Sequence, residues 1–138
     1  MSKFYSISET IKFEGPKSEN PLSFKWYNPA QKVMGKTMRE HMRFAVAYWH
    51  TLCWPGTDPF GGDTLNRPWH HMADEMAAAR IKADLMFETL ELLNVDFFCF
   101  HDLDIAPEGK SLKEFTHHAR DSLLSTSAWL AKRGLKVL

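Results

Sequence analysis

The sequence predicts an α/β fold built from parallel βαβ units. Two observations carry this reading. Apolar runs of strand length occur at residues 42–49 (MRFAVAYW), 95–100 (VDFFCF) and 135–138 (LKVL). Between them lie two stretches with helical period, so the order is strand, helix, strand, helix, strand. Right-handed crossovers place both helices on one side of the three strands. Closed barrels and open doubly wound sheets both begin in this way, and neither ends after five elements. The chain therefore reads as the opening of a longer fold.

Residues 1–34 show no sustained period. Gly15, Pro16, Pro21 and Pro29 break regular structure, while Phe4, Tyr5, Phe13, Phe24, Trp26 and Tyr27 require something to bury against. This pattern predicts an arm laid across a surface rather than a loose tail, closed by a short helix over 37–41. The arm and that helix make a first region, 1–41, and residues 42–138 make the second. After the first strand, residues 53–68 are dense in turn pairs: Pro55-Gly56, Asp58-Pro59, Gly61-Gly62 and Arg67-Pro68. Residues 72–93 form a helix with Met76, Ala79, Ala83, Phe87 and Leu90 on one face. The strand 95–100 follows, then a loop over 102–110. Ser111 and Glu114 open the second helix as a capping box. Its apolar positions are Leu112, Phe115, Ala119, Leu123 and Leu130, and Lys132-Arg133 before Gly134 supplies its stop signal.

Composition narrows the function. Hydrophobic residues make up 44% of the chain and aromatics 13%, which argues against disorder throughout. The formal charge is zero, so the basic excess of a nucleic-acid or anionic-membrane binder is missing. No apolar run reaches the roughly 18 residues of a membrane span, and the first residues lack the pattern of a signal peptide. Cys53 and Cys99 are too few for a disulfide framework and lack metal-type spacing. Both sit in apolar sequence, as buried reduced thiols do, and a cytoplasmic setting is expected.

The segment Phe97-Phe98-Cys99-Phe100-His101-Asp102-Leu103-Asp104 carries the strongest chemical signal. Period-two alternation puts Phe97, Cys99 and His101 on one face and Phe98 and Phe100 on the other. His101 falls at the C-terminal end of the strand, where parallel α/β folds place their active sites. Asp104 can fold back to accept the imidazole Nδ1–H, which fixes the tautomer and leaves Nε2 to exchange protons with a ligand. Taken alone, the same spacing also suits a histidine and aspartate that merely terminate an element. Trp49 and His50 close the first predicted strand, where an aromatic face can pack against a sugar or another flat ligand. Trp49 and Trp54 also suit core positions, Trp54 the better. Phe60 sits in a Gly/Pro loop with no local core, so it is expected to bury against another part of the molecule or another subunit. The pairs His70-His71 and His117-His118 point about 100° apart on a helix and match no zinc spacing, so no metal ligands are assigned.

Three blocks together resemble the xylose isomerases of the longer class, those with an N-terminal extension. They are EGPKSENPLSFKWYNP in the arm, GKTMREHMRFAVAYWHTLCWPGTDPFG in the first unit and FFCFHDLDIAPEGKSLKEF in the second. The resemblance runs from about residue 11 to residue 138 and identifies the chain as the N-terminal portion of such an enzyme. It implies a partial (β/α)8 TIM barrel: the first two βα units and the start of strand 3, preceded by the irregular arm. It also implies metal-dependent aldose–ketose isomerisation, D-xylose to D-xylulose, with D-glucose as a further substrate.

In that family the enzyme is a homotetramer with two divalent cations, Mg²⁺, Mn²⁺ or Co²⁺. By resemblance, His101 is the histidine that handles the ring oxygen during ring opening, and Asp104 is its carboxylate partner. Trp49 matches a tryptophan near the substrate pocket, and Phe60 the aromatic that reaches into a neighbouring subunit's site. The family's metal ligands and the lysine that assists isomerisation belong to later strands, so this chain alone is expected to bind no cation and to be inactive. Asp96 stands where many relatives have proline or glutamate. A non-catalytic remnant or interaction module is the alternative reading.

Overall fold

The computed structural model describes residues 3–132 of the chain. The expected third strand at 135–138 and the Arg133-Gly134 stop signal lie outside the described residues. Two compact units form. One comprises the chain up to Val46 together with Glu88–Phe97, and the other comprises Ala47–Phe87 and the chain from Phe98 onward.

In the first unit the arm is fastened by hydrogen bonds. The Glu88 carboxylate accepts the backbone N–H groups of Lys3 (3.1 Å), Phe4 (3.1 Å) and Tyr5 (3.4 Å). The Tyr5 hydroxyl meets Thr89 Oγ1 at 2.7 Å, and Ile11 N donates to Leu92 O at 2.7 Å. Phe24 and Tyr27 meet edge-on, as do Tyr27 and Phe44. Phe24 and Tyr27 thus find ring partners, whereas Phe13 and Trp26 stay exposed, against the expectation that the arm's aromatics bury.

A hairpin that the sequence reading did not foresee ends the arm: β1 (Lys32–Val33) pairs antiparallel with β2 (Lys36–Thr37). Its turn, Met34-Gly35, has positive φ at both residues, 49° and 82°. Such turns follow the right-handed twist of paired strands, and glycine makes the second position cheap. Helix α1 (Met38–His41) follows, as expected from the sequence. Its cap is reciprocal: Glu40 N donates to Thr37 Oγ1, and Thr37 N donates to the Glu40 carboxylate. The Thr37 hydroxyl, which also donates to that carboxylate at 2.7 Å, and then Thr37 N hold the Glu40 carboxyl below its ordinary value. Arg39 forks onto Asp96 with Nε···Oδ2 at 3.0 Å and a second bond from Nη2 to Oδ1 at 2.5 Å. Asp96 is therefore an ion-pair partner of the arm.

The strand expected at 42–49 contracts to β3 (Ala45–Ala47). The chain then turns at Tyr48 into a single π-helical turn, Trp49–Cys53. Trp49 and His50 accordingly lie on this turn and do not end a strand. The helix expected over 72–93 is α2 (Glu75–Leu93), starting three residues late because Asp74 accepts Ala77 N at 2.9 Å and acts as its cap. Its buried face differs from the one expected: Ala79, Phe87 and Leu90 are buried together with Ala78, Leu85 and Met86, while Met76 and Ala83 are only half-buried.

Strand β4 (Phe97–Cys99) forms one two-stranded sheet with β3. The rings of Phe98 and Phe100 stack at 5.7 Å, which agrees with the period-two reading. The loop expected over 102–110 instead begins with one helical turn, α3 (Asp102–Ile105). A last helix, α4 (Leu112–Lys132), closes the described chain. Ser111 Oγ accepts Glu114 N at 3.2 Å, but the Glu114 carboxylate takes Lys110 N at 2.7 Å instead of Ser111 N. The capping box is thus shifted by one residue on its return arm. Leu112 and Leu123, assigned to the apolar face of this helix, are exposed.

Candidate functional site

The second unit holds the residues that the sequence singled out. His101 follows β4 in extended conformation (φ −101°, ψ 162°) and caps α3, so Asp104 stands at the third helical position. One carboxylate oxygen of Asp104, Oδ2, accepts twice: from His101 N at 2.7 Å and from Nδ1 at 3.1 Å. The Asp104 side chain is 4% exposed and that of His101 is 77% exposed. A buried carboxylate therefore grips an imidazole whose remainder faces solvent. An ionised carboxylate only accepts, so Nδ1 carries the proton and Nε2 presents a lone pair. Among the described residues Nε2 has no protein partner. The local reason is the one-turn helix: three residues of helical advance return the carboxylate to the residue before the helix.

The π turn builds an aromatic cluster. Trp49 stacks on Trp54 at 6.2 Å with 22° between planes, and His50 meets both edge-on at 4.6 and 6.5 Å. Trp54 N donates to Trp49 O at 2.9 Å and closes the turn. Such turns leave carbonyls unsatisfied at their ends. Here Arg67 donates to Thr51 O and Trp54 O, both at 2.7 Å, and Trp69 Nε1 donates to Leu52 O at 2.7 Å. Trp49 is 40% exposed, so one tryptophan of the stack keeps accessible surface. Phe60 sits at the tip of the following loop and is 99% exposed, with nothing among the described residues that buries it.

Beneath α3 lies a group that sequence reasoning missed. Lys82, on α2, donates from Nζ to Asp104 O at 2.7 Å and to Cys53 Sγ at 3.5 Å. Its ammonium also stands 5.9 Å from the centre of the Tyr48 ring. Tyr48 is 2% exposed, and among the described residues its hydroxyl has no hydrogen-bond partner. Burial pushes the Tyr48 hydroxyl well above its ordinary value, and the nearby Cys53 and Asp104 add to the shift. Burial also raises the Cys53 thiol, and the Lys82 ammonium partly offsets that. Both cysteines are expected to be buried from their apolar sequence, but Cys53 is only half-buried and Cys99 is exposed; neither is in a disulfide. The helical spacing held a hint of Lys82: it lies three residues after Ala79 and four before Met86, hence on the buried face.

Among the described residues no group of three or more His, Cys, Asp or Glu side chains converges to hold a metal ion. None of the helices among those residues is long and apolar enough to cross a membrane.

A strand-end imidazole gripped by a buried carboxylate, on an α/β framework, leaves one ring nitrogen able to exchange a proton. Comparison with known proteins is more specific. The chain is 50% identical over 135 residues to the xylose isomerase of Allorhizobium ampelinum, covering 98% of this chain and 31% of that protein. It is 44% identical over its full 138 residues to the xylose isomerase of Pseudoalteromonas atlantica, again 31% of that protein. With the xylose isomerase of Thermoanaerobacterium thermosaccharolyticum it shares 53% identity over 114 residues, or 83% of this chain and 26% of that one. No family model matches the chain. The chain is thus related by sequence to the xylose isomerases, as the three blocks implied, and it spans about a third of the length of these relatives.

Proposed function

We propose that this chain carries the ring-opening part of a metal-dependent aldose–ketose isomerase site, acting on D-xylose and related sugars. The observation that carries the reading is the His101–Asp104 pair, 3.1 Å apart, in a chain related to xylose isomerases over nearly all its length. Opening an aldose ring requires the anomeric hydroxyl to lose a proton, the bond from C1 to the ring oxygen to break, and that oxygen to gain a proton. The Nε2 lone pair of neutral His101 takes the first proton. The resulting imidazolium, held by the Asp104 carboxylate, then returns it to the ring oxygen. The balance is zero, and no second reagent enters. Trp49 supplies a flat wall against which the apolar face of a sugar packs.

The rest of the reading is what the resemblance of the three sequence blocks implies: a (β/α)8 barrel of about 250 residues, two divalent cations, a homotetramer, and Phe60 directed into a neighbouring subunit. The cations would supply Lewis-acid polarisation of the sugar oxygens for the hydrogen shift. The residues assigned a role in this chain, His101 and Asp104, carry the proton steps of ring opening. Titrating D-xylose while following the His101 ring protons by NMR tests the assignment. Saturable shifts at His101 and at the Trp49 indole are expected. Shifts confined to other residues would refute it.

A further inference from the structure

We infer that Lys82 is the positioning residue of the His101–Asp104 pair, acting by capping the one-turn helix on which Asp104 sits. A helix of four residues cannot hold itself together, because nucleation costs more than its few hydrogen bonds return. Its geometry must be imposed from outside. The N-terminal end is held by the pair itself, through His101 N and Nδ1 on Asp104 Oδ2. The other end leaves carbonyls unsatisfied, and Asp104 O is one of them.

Lys82 Nζ reaches that carbonyl at 2.7 Å, placing a cation at a helix C-terminus, where the backbone dipole favours it. The same ammonium donates to Cys53 Sγ at 3.5 Å and has the Tyr48 ring on a further side. These contacts tie α3 to the end of the π turn that carries the tryptophans. Asp104 is thereby held twice, by its carboxylate on the ligand side and by its carbonyl on the core side. Only the second hold is independent of His101.

The geometric claim needs no assumption about the reaction; its consequence for ring opening rests on the function proposed above. Without Lys82, Asp104 O keeps only the long contact from Cys53 Sγ at 3.9 Å. Helix α3 then loses its charged distal anchor, the carboxylate leaves Nδ1 and the imidazole reverts to the mixed tautomers of a free histidine. The test is the long-range ¹H–¹⁵N NMR spectrum of His101 in the intact chain, at a pH where the ring is neutral. The parent chain should show one tautomer, protonated at Nδ1. Lys82→Met, which keeps length and removes the donor and charge, should show mixed tautomers in an otherwise dispersed amide spectrum.

Lys82→Arg should restore the single tautomer. If Lys82→Met fails to fold, Lys82→Gln gives the same readout and the same expectation. A single Nδ1–H tautomer in the folded variants would overturn the inference. So would loss of fold in both neutral variants, since Lys82 would then sustain the core and not the pair. Xylose ring opening by the parent chain should fall about tenfold in Lys82→Met, a part of the roughly 100-fold or more that a positioned base contributes. Absence of ring opening in the parent chain would count against the proposed function and leave the tautomer result standing.

Discussion

At the scale of single residues, the site depends on one carboxylate oxygen receiving two donors from His101. Asp104→Ala removes that oxygen and leaves both His101 donors without their acceptor. The imidazole should then revert to mixed tautomers, as judged by its ¹⁵N shifts. An unchanged tautomer in this variant would contradict the assignment of Asp104. Cys53 sets a pH dependence whose sign is fixed. Its thiol is raised in the folded chain, chiefly by burial, so the unfolded chain releases that proton first. The stability at stake is intact below the ordinary thiol value, about 8.5, and is lost as pH rises from there toward the folded value. Urea melts should show a decline above about pH 8.5 that is absent in Cys53→Ala. Asp104 was legible in the sequence because a three-residue return is local geometry. Lys82 was not, because a lone lysine in a charged helix looks solvated until its tertiary partners are known.

At the scale of elements, the sequence located the helices well and their neighbours less well. Periodicity found α2 and α4 to within a few residues at their starts, since many apolar positions vote on a helix. The strands shrank to three residues each, and the π turn and the 34–35 hairpin turn left no periodic trace. The π turn exists because Arg67 and Trp69 satisfy its carbonyls from 13 to 17 residues away, information that no local window contains. Arg67→Ala should therefore loosen the Trp49–Trp54 stack, seen as reduced near-ultraviolet circular dichroism of tryptophan, with α2 intact. Gly56 has φ +80°, and a Cβ there would collide with the Thr64 side chain. Gly56→Ala should accordingly destabilise by about 1–2 kcal/mol in thermal melts. In the core of α2, Met86 is 0% exposed, and Met86→Ala should cost about 2–5 kcal/mol by the same measurement.

At the scale of the molecule, strand–helix alternation gave the α/β class, and three sequence blocks gave the relatives. The spacing of His101 and Asp104 gave the pair but no substrate; the relatives suggested one. Among the described residues no cluster of three or more metal-ligating side chains converges. Phe60 and Trp26 are 99% and 82% exposed, so the isolated chain should self-associate with rising concentration in sedimentation velocity. The central claim is that an imidazole set by a buried carboxylate moves the ring-opening proton of a sugar. Exchange between the α and β anomers of D-xylose, followed by NMR magnetisation transfer, measures that step without the hydrogen shift that follows. The account predicts acceleration by the intact chain, lost in His101→Ala and strongly reduced in Asp104→Ala. Equal exchange rates with the parent chain and with His101→Ala would contradict it.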